Sequence, residues 1–171
     1  GREAEGTAFA EVNENLKPYR AGGAHRHIPE MEQNLGRALA QGRPVRTHGA
    51  REEVRLSFTP HLVPMTRGIL LTAEAEVQGA WSQESLDELY RDFYAGEAFV
   101  RVLEGLPQTK GTLGSNRVDL RPLYEERTGK VLVFAALDNL VKGMAGQAVQ
   151  NFNLMMGFPE ETALPKEGIW P

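Results

Sequence analysis

Apolar residues recur along this chain with two different periods. Over residues 29–41, Met31, Leu35, Ala38 and Leu39 fall at i, i+4, i+7 and i+8, with Pro29 at the first helical position and Gly42 beyond the end. That spacing lays one stripe along a helix. Over 53–58, Val54, Leu56 and Phe58 alternate with Arg55 and Ser57, the pattern of a strand with one face buried. After a break around Pro60 and Pro64, Leu71, Ala73, Ala75 and Val77 alternate with Thr72, Glu74 and Glu76, predicting a strand over 68–77. The two extended segments read as antiparallel neighbours.

The helical period returns with Leu86, Leu89, Tyr90 and Phe93, which Ser82 can cap and Gly96 can close. Residues 99–103 read as a strand. Residues 117–124 and 130–137 flank the turn-prone Glu126-Arg127-Thr128-Gly129 and predict a hairpin. Its second arm is apolar from Val131 to Leu137, so it should be a central strand covered on both faces. A last helix is expected over about 139–156, with Val141, Ala145, Ala148, Phe152 and Met155 on one side and Gly157 as its stop. The order α, β, β, α, β, β, β, α predicts an α+β domain over 1–171, with a mixed, largely antiparallel sheet covered by helices. No Gly-x-Gly-x-x-Gly follows a strand, so no dinucleotide-binding fold is visible.

Composition narrows the class. The chain has 171 residues, 41% hydrophobic and 25% charged, which suits one domain with its own core. Its net charge is −4 and its basic residues are scattered, so no nucleic-acid partner is expected. No apolar run is long enough to span a bilayer and the amino terminus is polar, so no membrane partner is expected and a cytoplasmic location is. The start Gly1-Arg2-Glu3 reads as that of a cut fragment. There is no cysteine, which removes disulfides, thiolate metal sites and a thiol nucleophile.

The densest polar cluster runs from Tyr19 to His27. In an extended segment His25 and His27 point the same way with Arg26 opposed, just ahead of a helix amino terminus that favours anions. Three readings are open: an acid–base histidine, a metal-binding pair, or ordinary surface and capping residues. Metal is weakly supported, because His48 and His61 are the only other histidines and no carboxylates repeat at ligand spacing. Arg67, at the entrance to a strand, either clamps a carboxylate or phosphate or is a solvated strand end. Asn139 can donate and accept at once, as a nicotinamide carboxamide requires, or can cap a helix. Gly143 and Gly146 near the start of the last helix allow close approach by a ligand or another backbone.

Four blocks in this order carry a resemblance. They are Glu-Val-Asn-Glu-Asn-Leu at 11–16 with Tyr19 and the His25-Arg26-His27-Ile28-Pro29-Glu30 run, then the Phe58-Thr59-Pro60-His61 segment through Met65-Thr66-Arg67-Gly68-Ile69-Leu70, then Gly114-Ser115-Asn116, then Asp138-Asn139-Leu140-Val141-Lys142-Gly143 through Asn151. Together they resemble the N-acetyl-γ-glutamyl-phosphate reductase family along nearly the whole chain.

The resemblance implies a carboxy-terminal portion with the fold of the second domain of glyceraldehyde-3-phosphate-dehydrogenase-like enzymes. In that family an amino-terminal Rossmann domain binds NADP, and a cysteine at the domain junction attacks an acyl phosphate. The thioester is then reduced to the semialdehyde. It further implies His25 or His27 as the acid–base group with Tyr19 beside it, and Arg26, Arg67 and Ser115 as substrate-binding residues. Asn139 and Gly143 become cofactor contacts on a final helix that packs against the nucleotide domain. A small-molecule acyl phosphate and a second copy of the chain are the implied partners. This chain departs from the family by lacking both the Rossmann half and the cysteine, so it is expected to be inactive alone. Two alternatives stand beside this reading: a reductase for the aminoadipate type of lysine biosynthesis, one methylene different in substrate, and a non-catalytic homodimerisation module.

Overall fold

The computed structural model describes residues 12–42 and 54–169. The chain forms two compact units, Gly1–Met65 and Thr66–Pro171. His48, Glu11, Glu53 and the first ten residues lie outside the described residues.

In the first unit, strand β1 (Lys17–Pro18) pairs antiparallel with β2 (His61–Leu62), and helix α1 spans Ile28–Gly42. The helix starts where periodicity placed it, at one residue's remove. Its first turn carries Glu30, a favourable charge at the positive end of the helix dipole. Leu35 and Leu39 of the predicted stripe are exposed, so within this chain the stripe is not a core face.

The expected strand over 53–58 is a correction. Residues 54–60 form no ladder, and the paired residues come just after them, at His61 and Leu62. The reason lies in the backbone. The Leu56 N–H donates to the Glu32 carboxylate at 3.2 Å and the Pro60 carbonyl accepts from Tyr19 N–H at 2.8 Å, so the segment spends its hydrogen bonds singly. Residues 69–76 instead form their ladder with 130–137, so the expected antiparallel pairing with 54–58 is not made.

The second unit holds a four-stranded mixed sheet in the order β3-β6-β5-β4, from β3 (Ile69–Glu76), β4 (Val100–Val102), β5 (Val118–Glu125) and β6 (Lys130–Leu137). β5 and β6 form the expected hairpin, closed by a turn in which Gly129 at φ 69° donates to the Glu125 carbonyl at 2.9 Å. β3 pairs antiparallel with β6 and only β4 runs parallel, to β5. The sheet is thus mixed and largely antiparallel.

β6 is central, as its unbroken apolar run predicts, with Ala135 and Ala136 buried on opposite faces. β3 is an edge strand, and all eight of its residues are exposed.

Helix α2 (Gln83–Phe93) is capped by Ser82, whose hydroxyl accepts from Ser85 N–H while the Ser85 hydroxyl accepts from Ser82 N–H. This reciprocal pair satisfies two amide groups that would otherwise lack partners. Leu86 and Phe99 are each 2% exposed and anchor the core beside Leu120 and Val131. Gln83 covers the edge of β5 beyond the end of β4, accepting from Tyr124 N–H and donating to the Pro122 carbonyl.

After β6 the chain makes a π-turn, Val141–Ala145, and continues as α3 (Gly146–Met156). Gly157, at φ 73°, ends it, donating to the Leu154 carbonyl while Phe158 N–H donates to Asn153 at 2.9 Å. α3 buries an unexpected side. Its enclosed residues are Gly146, Gln150 and Asn153, while Phe152 and Met155 of the predicted apolar side are 54% and 83% exposed.

Candidate functional site

In the first unit the segment 19–27 is a sequence of turns rather than an extended strand. His25 therefore does not simply project in parallel with His27. Its half-buried ring makes edge-to-face contacts with Tyr19 at 5.9 Å, Phe58 at 5.0 Å and His27 at 5.0 Å between centroids. His27 N–H donates to His25 Nδ1 at 3.3 Å, and the His25 carbonyl accepts from Ile28 N–H where α1 begins. A neutral imidazole accepting at Nδ1 carries its proton on Nε2. Burial first, and then the positive charges of His27, Arg20 and Arg26, hold the His25 pKa below its ordinary value.

His27 and Arg26 are exposed, and the Arg20 guanidinium lies over the Tyr19 ring, 5.2 Å from its centroid. The structure thus brings together Tyr19, His25 and His27, and separates the two histidines by environment. Phe58 completes the cluster. Sequence periodicity had placed it in a strand face, and only its position in the block Phe58-Thr59-Pro60-His61 pointed to the site.

In the second unit, two consecutive residues at the end of β6 clasp two at the start of β3. Arg67 Nε donates to Asp138 Oδ1 at 3.3 Å and Arg67 Nη2 donates to Asp138 Oδ2. Gly68 N–H donates to Asn139 Oδ1 at 2.6 Å, and Asn139 Nδ2 reaches the Thr66 carbonyl at 3.5 Å.

Asp138 has a side chain with 0% exposure and also accepts from Gly114 N–H at 2.7 Å, Leu140 N–H at 2.8 Å and Val141 N–H at 3.0 Å. Burial alone would raise its pKa. The Gly114 amide, the Arg67 guanidinium and the Val141 and Leu140 amides outweigh burial and lower it to about 2. The signal for Asp138 in the sequence is a carboxylate directly ahead of a helix, which caps it.

The other sequence-predicted residues sort by exposure. Ser115, expected at the substrate, is 0% exposed, donates to the Thr112 carbonyl at 2.9 Å and accepts from Arg117 N–H, so its hydroxyl is enclosed and used within its own turn. Asn139 has its carbonyl oxygen committed to Gly68 and one amide hydrogen directed at the Thr66 carbonyl, which leaves its other amide hydrogen as a donor.

The two helix glycines differ. A β-carbon at Gly146 would stand 2.3 Å from Asn116 Oδ1 and 2.7 Å from the Val141 carbonyl oxygen, so close packing within the chain requires this glycine. At Gly143 the nearest atom would be 3.4 Å away, an ordinary contact, and the residue is exposed. Packing in this chain leaves its glycine unexplained, which fits close approach by something outside it.

Behind the π-turn lies a polar network. Asn116 Nδ2 and Lys142 Nζ both donate to Gln150 Oε1, at 2.9 and 2.7 Å, and Gln150 Nε2 donates to Glu160. Burial pushes the Lys142 ammonium pKa down, partly offset by Glu160 and Glu97. Among the described residues no three His, Asp or Glu side chains converge as metal ligands, and no helix is long and apolar enough to cross a membrane.

Residues 1–139 match the semialdehyde dehydrogenase dimerisation domain. An N-acetyl-γ-glutamyl-phosphate reductase of Thermus thermophilus is 86% identical over the whole of this chain, which covers 50% of that protein. Reductases of the same name from Symbiobacterium thermophilum and Pelotomaculum thermopropionicum are 51% and 48% identical over 97% and 98% of the chain, and 45% and 46% of their own lengths are covered. The chain therefore spans about half the length of these curated relatives.

Proposed function

Because this chain belongs to the semialdehyde dehydrogenase dimerisation-domain family, we propose that it is the substrate-binding and dimerising portion of an NADP-dependent N-acetyl-γ-glutamyl-phosphate reductase. The observation that carries this reading is the inverted helix α3, polar on its buried side and apolar on its exposed side. A helix that leaves Phe152, Leu154, Met155 and Met156 in solvent is built to be covered. We assign the covering surface to the nucleotide-binding part of a longer protein, since relatives of this chain are about twice its length.

On this reading the attacking cysteine comes from outside the chain, which has none. Its sulfur displaces phosphate from the acyl phosphate, and the acyl group leaves as the semialdehyde after reduction. Reduced NADP, when bound, supplies the hydride. Asn139 would offer its remaining amide hydrogen to the nicotinamide carboxamide, and Gly143 would let the cofactor approach the backbone.

His25 is the acid–base group. Its bond from His27 N–H favours the neutral tautomer with the proton on Nε2, placed to give a hydrogen bond to a departing or developing oxyanion while the ring stays neutral. Tyr19 and Phe58 hold the ring's plane. Arg67 supplies positive charge for an anionic group of the substrate, and Arg26 is the corresponding candidate of the first unit. The enzyme acts as a homodimer, to which the exposed edge strand β3, with Ile69, Leu70 and Leu71, contributes apolar surface.

The test is made in the full-length protein carrying this chain, with NADPH-coupled reduction of the acyl phosphate as readout. His25→Asn should lower kcat by about 10²–10⁴-fold, the usual worth of a positioned acid–base group, and His27→Asn by less than about tenfold. Equal retention of activity in both variants would overturn the assignment.

A further inference from the structure

Asp138 does more than a helix cap needs. Two amide groups, Leu140 N–H and Val141 N–H, suffice to cap the turn that follows it, yet its carboxylate also takes Gly114 N–H and the Nε–Nη2 edge of Arg67. Each of these donors belongs to a different stretch of the chain. The carboxylate fixes the start of β3, the turn at Gly114 and the start of the π-turn relative to one another, all within the second unit. Arg67 keeps 32% of its side chain exposed. Its side-on edge is fully occupied by Asp138, so what remains for an incoming anion is the end of the guanidinium, at Nη1 and the second hydrogen of Nη2. A guanidinium held along one edge has few rotamers left, so an anion binding at its end need not immobilise it.

We propose that Asp138 is the positioning residue of the substrate site: it holds Arg67 edge-on so that the guanidinium presents its end, and not its side, to the acyl phosphate or carboxylate of the substrate. This rests on the reading of Arg67 as a substrate-binding residue. Asp138 itself touches no substrate. Gly68, beside Arg67, supports the same arrangement. Its amide is tied to Asn139, its φ is +107°, and a β-carbon there would meet the Thr109 side chain at 2.7 Å, so the backbone that carries Arg67 is held from both sides.

The experiment compares Arg67→Ala, Asp138→Asn and the double variant in the full-length protein. KM and kcat for the acyl phosphate are measured with NADPH, together with thermal melting by circular dichroism. Both single variants should raise KM by about tenfold or more while kcat changes by less than about threefold, the signature of lost binding that is uniform between ground and transition states. The double variant should be no worse than Arg67→Ala alone, because residues acting as one unit are non-additive. Asp138→Glu, which keeps the charge but moves it by one methylene, should recover part of the loss. If Asp138→Asn fails to fold, Asp138→Glu carries the test with the same split of KM from kcat.

Asp138→Asn that lowers the melting temperature and leaves KM unchanged, beside an Arg67→Ala that raises it, overturns the positioning role alone. A double variant whose losses multiply overturns it as well. An Arg67→Ala that leaves KM unchanged overturns the substrate assignment of Arg67, and the positioning role with it.

Discussion

Gly146 and Asn116 pack so closely that a β-carbon at position 146 would lie 2.3 Å from the Asn116 Oδ1 atom. Gly146 has helical backbone angles, φ −64° and ψ −40°, so alanine would suit it by propensity. The clash decides otherwise, because the second obstacle is the Val141 carbonyl, a backbone atom with little room to retreat. Gly146→Ala should destabilise the full-length protein by about 1–3 kcal/mol, as overpacking in a filled interior does. Gly143→Ala should leave its melting temperature unchanged or slightly raised and should increase KM for NADPH. Differential scanning calorimetry and steady-state kinetics check the pair. Equal destabilisation by both substitutions would remove the distinction drawn between the two glycines.

The acid limb of activity should report His25. Its pKa lies below the ordinary value near 6.5. The neutral ring therefore persists to a lower pH than a free histidine would allow, and activity should fall only below that ordinary value. Arg20→Met removes one of the nearby positive charges, so the limb should shift toward higher pH. The pH profile of kcat/KM for the two proteins checks this. A shift toward lower pH would contradict the electrostatics described.

Asp138 should govern acid stability. Its pKa is depressed to about 2 in the folded chain, against about 3.9 when unfolded. The folded state then binds fewer protons, and the stabilisation is fully present above the unfolded value. It fades as pH falls through 4 toward the folded value. The difference corresponds to about 3 kcal/mol at neutral pH. Urea unfolding at pH 7 and pH 3 should show Asp138→Asn costing less at pH 3 than at pH 7. An equal cost at both would show that the charge is not what matters.

Much of the fold was legible because the residues that set it act locally. Ser82 capped the helix it was read to cap, Gly157 ended α3, and the apolar run 131–137 became the central strand. The misreading at 54–58 has a physical reason, since alternation describes which side chains could be buried and says nothing of whether a neighbouring backbone exists. There the amide of Leu56 found the Glu32 side chain. The buried side of α3 was hidden from periodicity for a different reason. Gln150 and Asn153 are enclosed by hydrogen bonds to Asn116, Lys142, Glu160 and Thr162, partners that all lie outside α3.

The site was legible in part. Tyr19, His25 and His27 do meet, but the amide-to-ring bond that distinguishes His25 depends on turn geometry that spacing does not reveal. Asp138 was visible as a residue and not as a hub, since its partners Arg67 and Gly114 are 71 and 24 positions away.

The central claim is that this chain supplies the substrate site and a subunit contact while the nucleophile and most of the cofactor site come from elsewhere in a longer protein. It is tested most directly by assaying NADPH-dependent reduction of N-acetyl-γ-glutamyl phosphate with the isolated chain and with the full-length protein that carries it, side by side. The account predicts turnover by the full-length protein and none by the isolated chain. Turnover by the isolated chain, which has no cysteine to form a thioester, would contradict it.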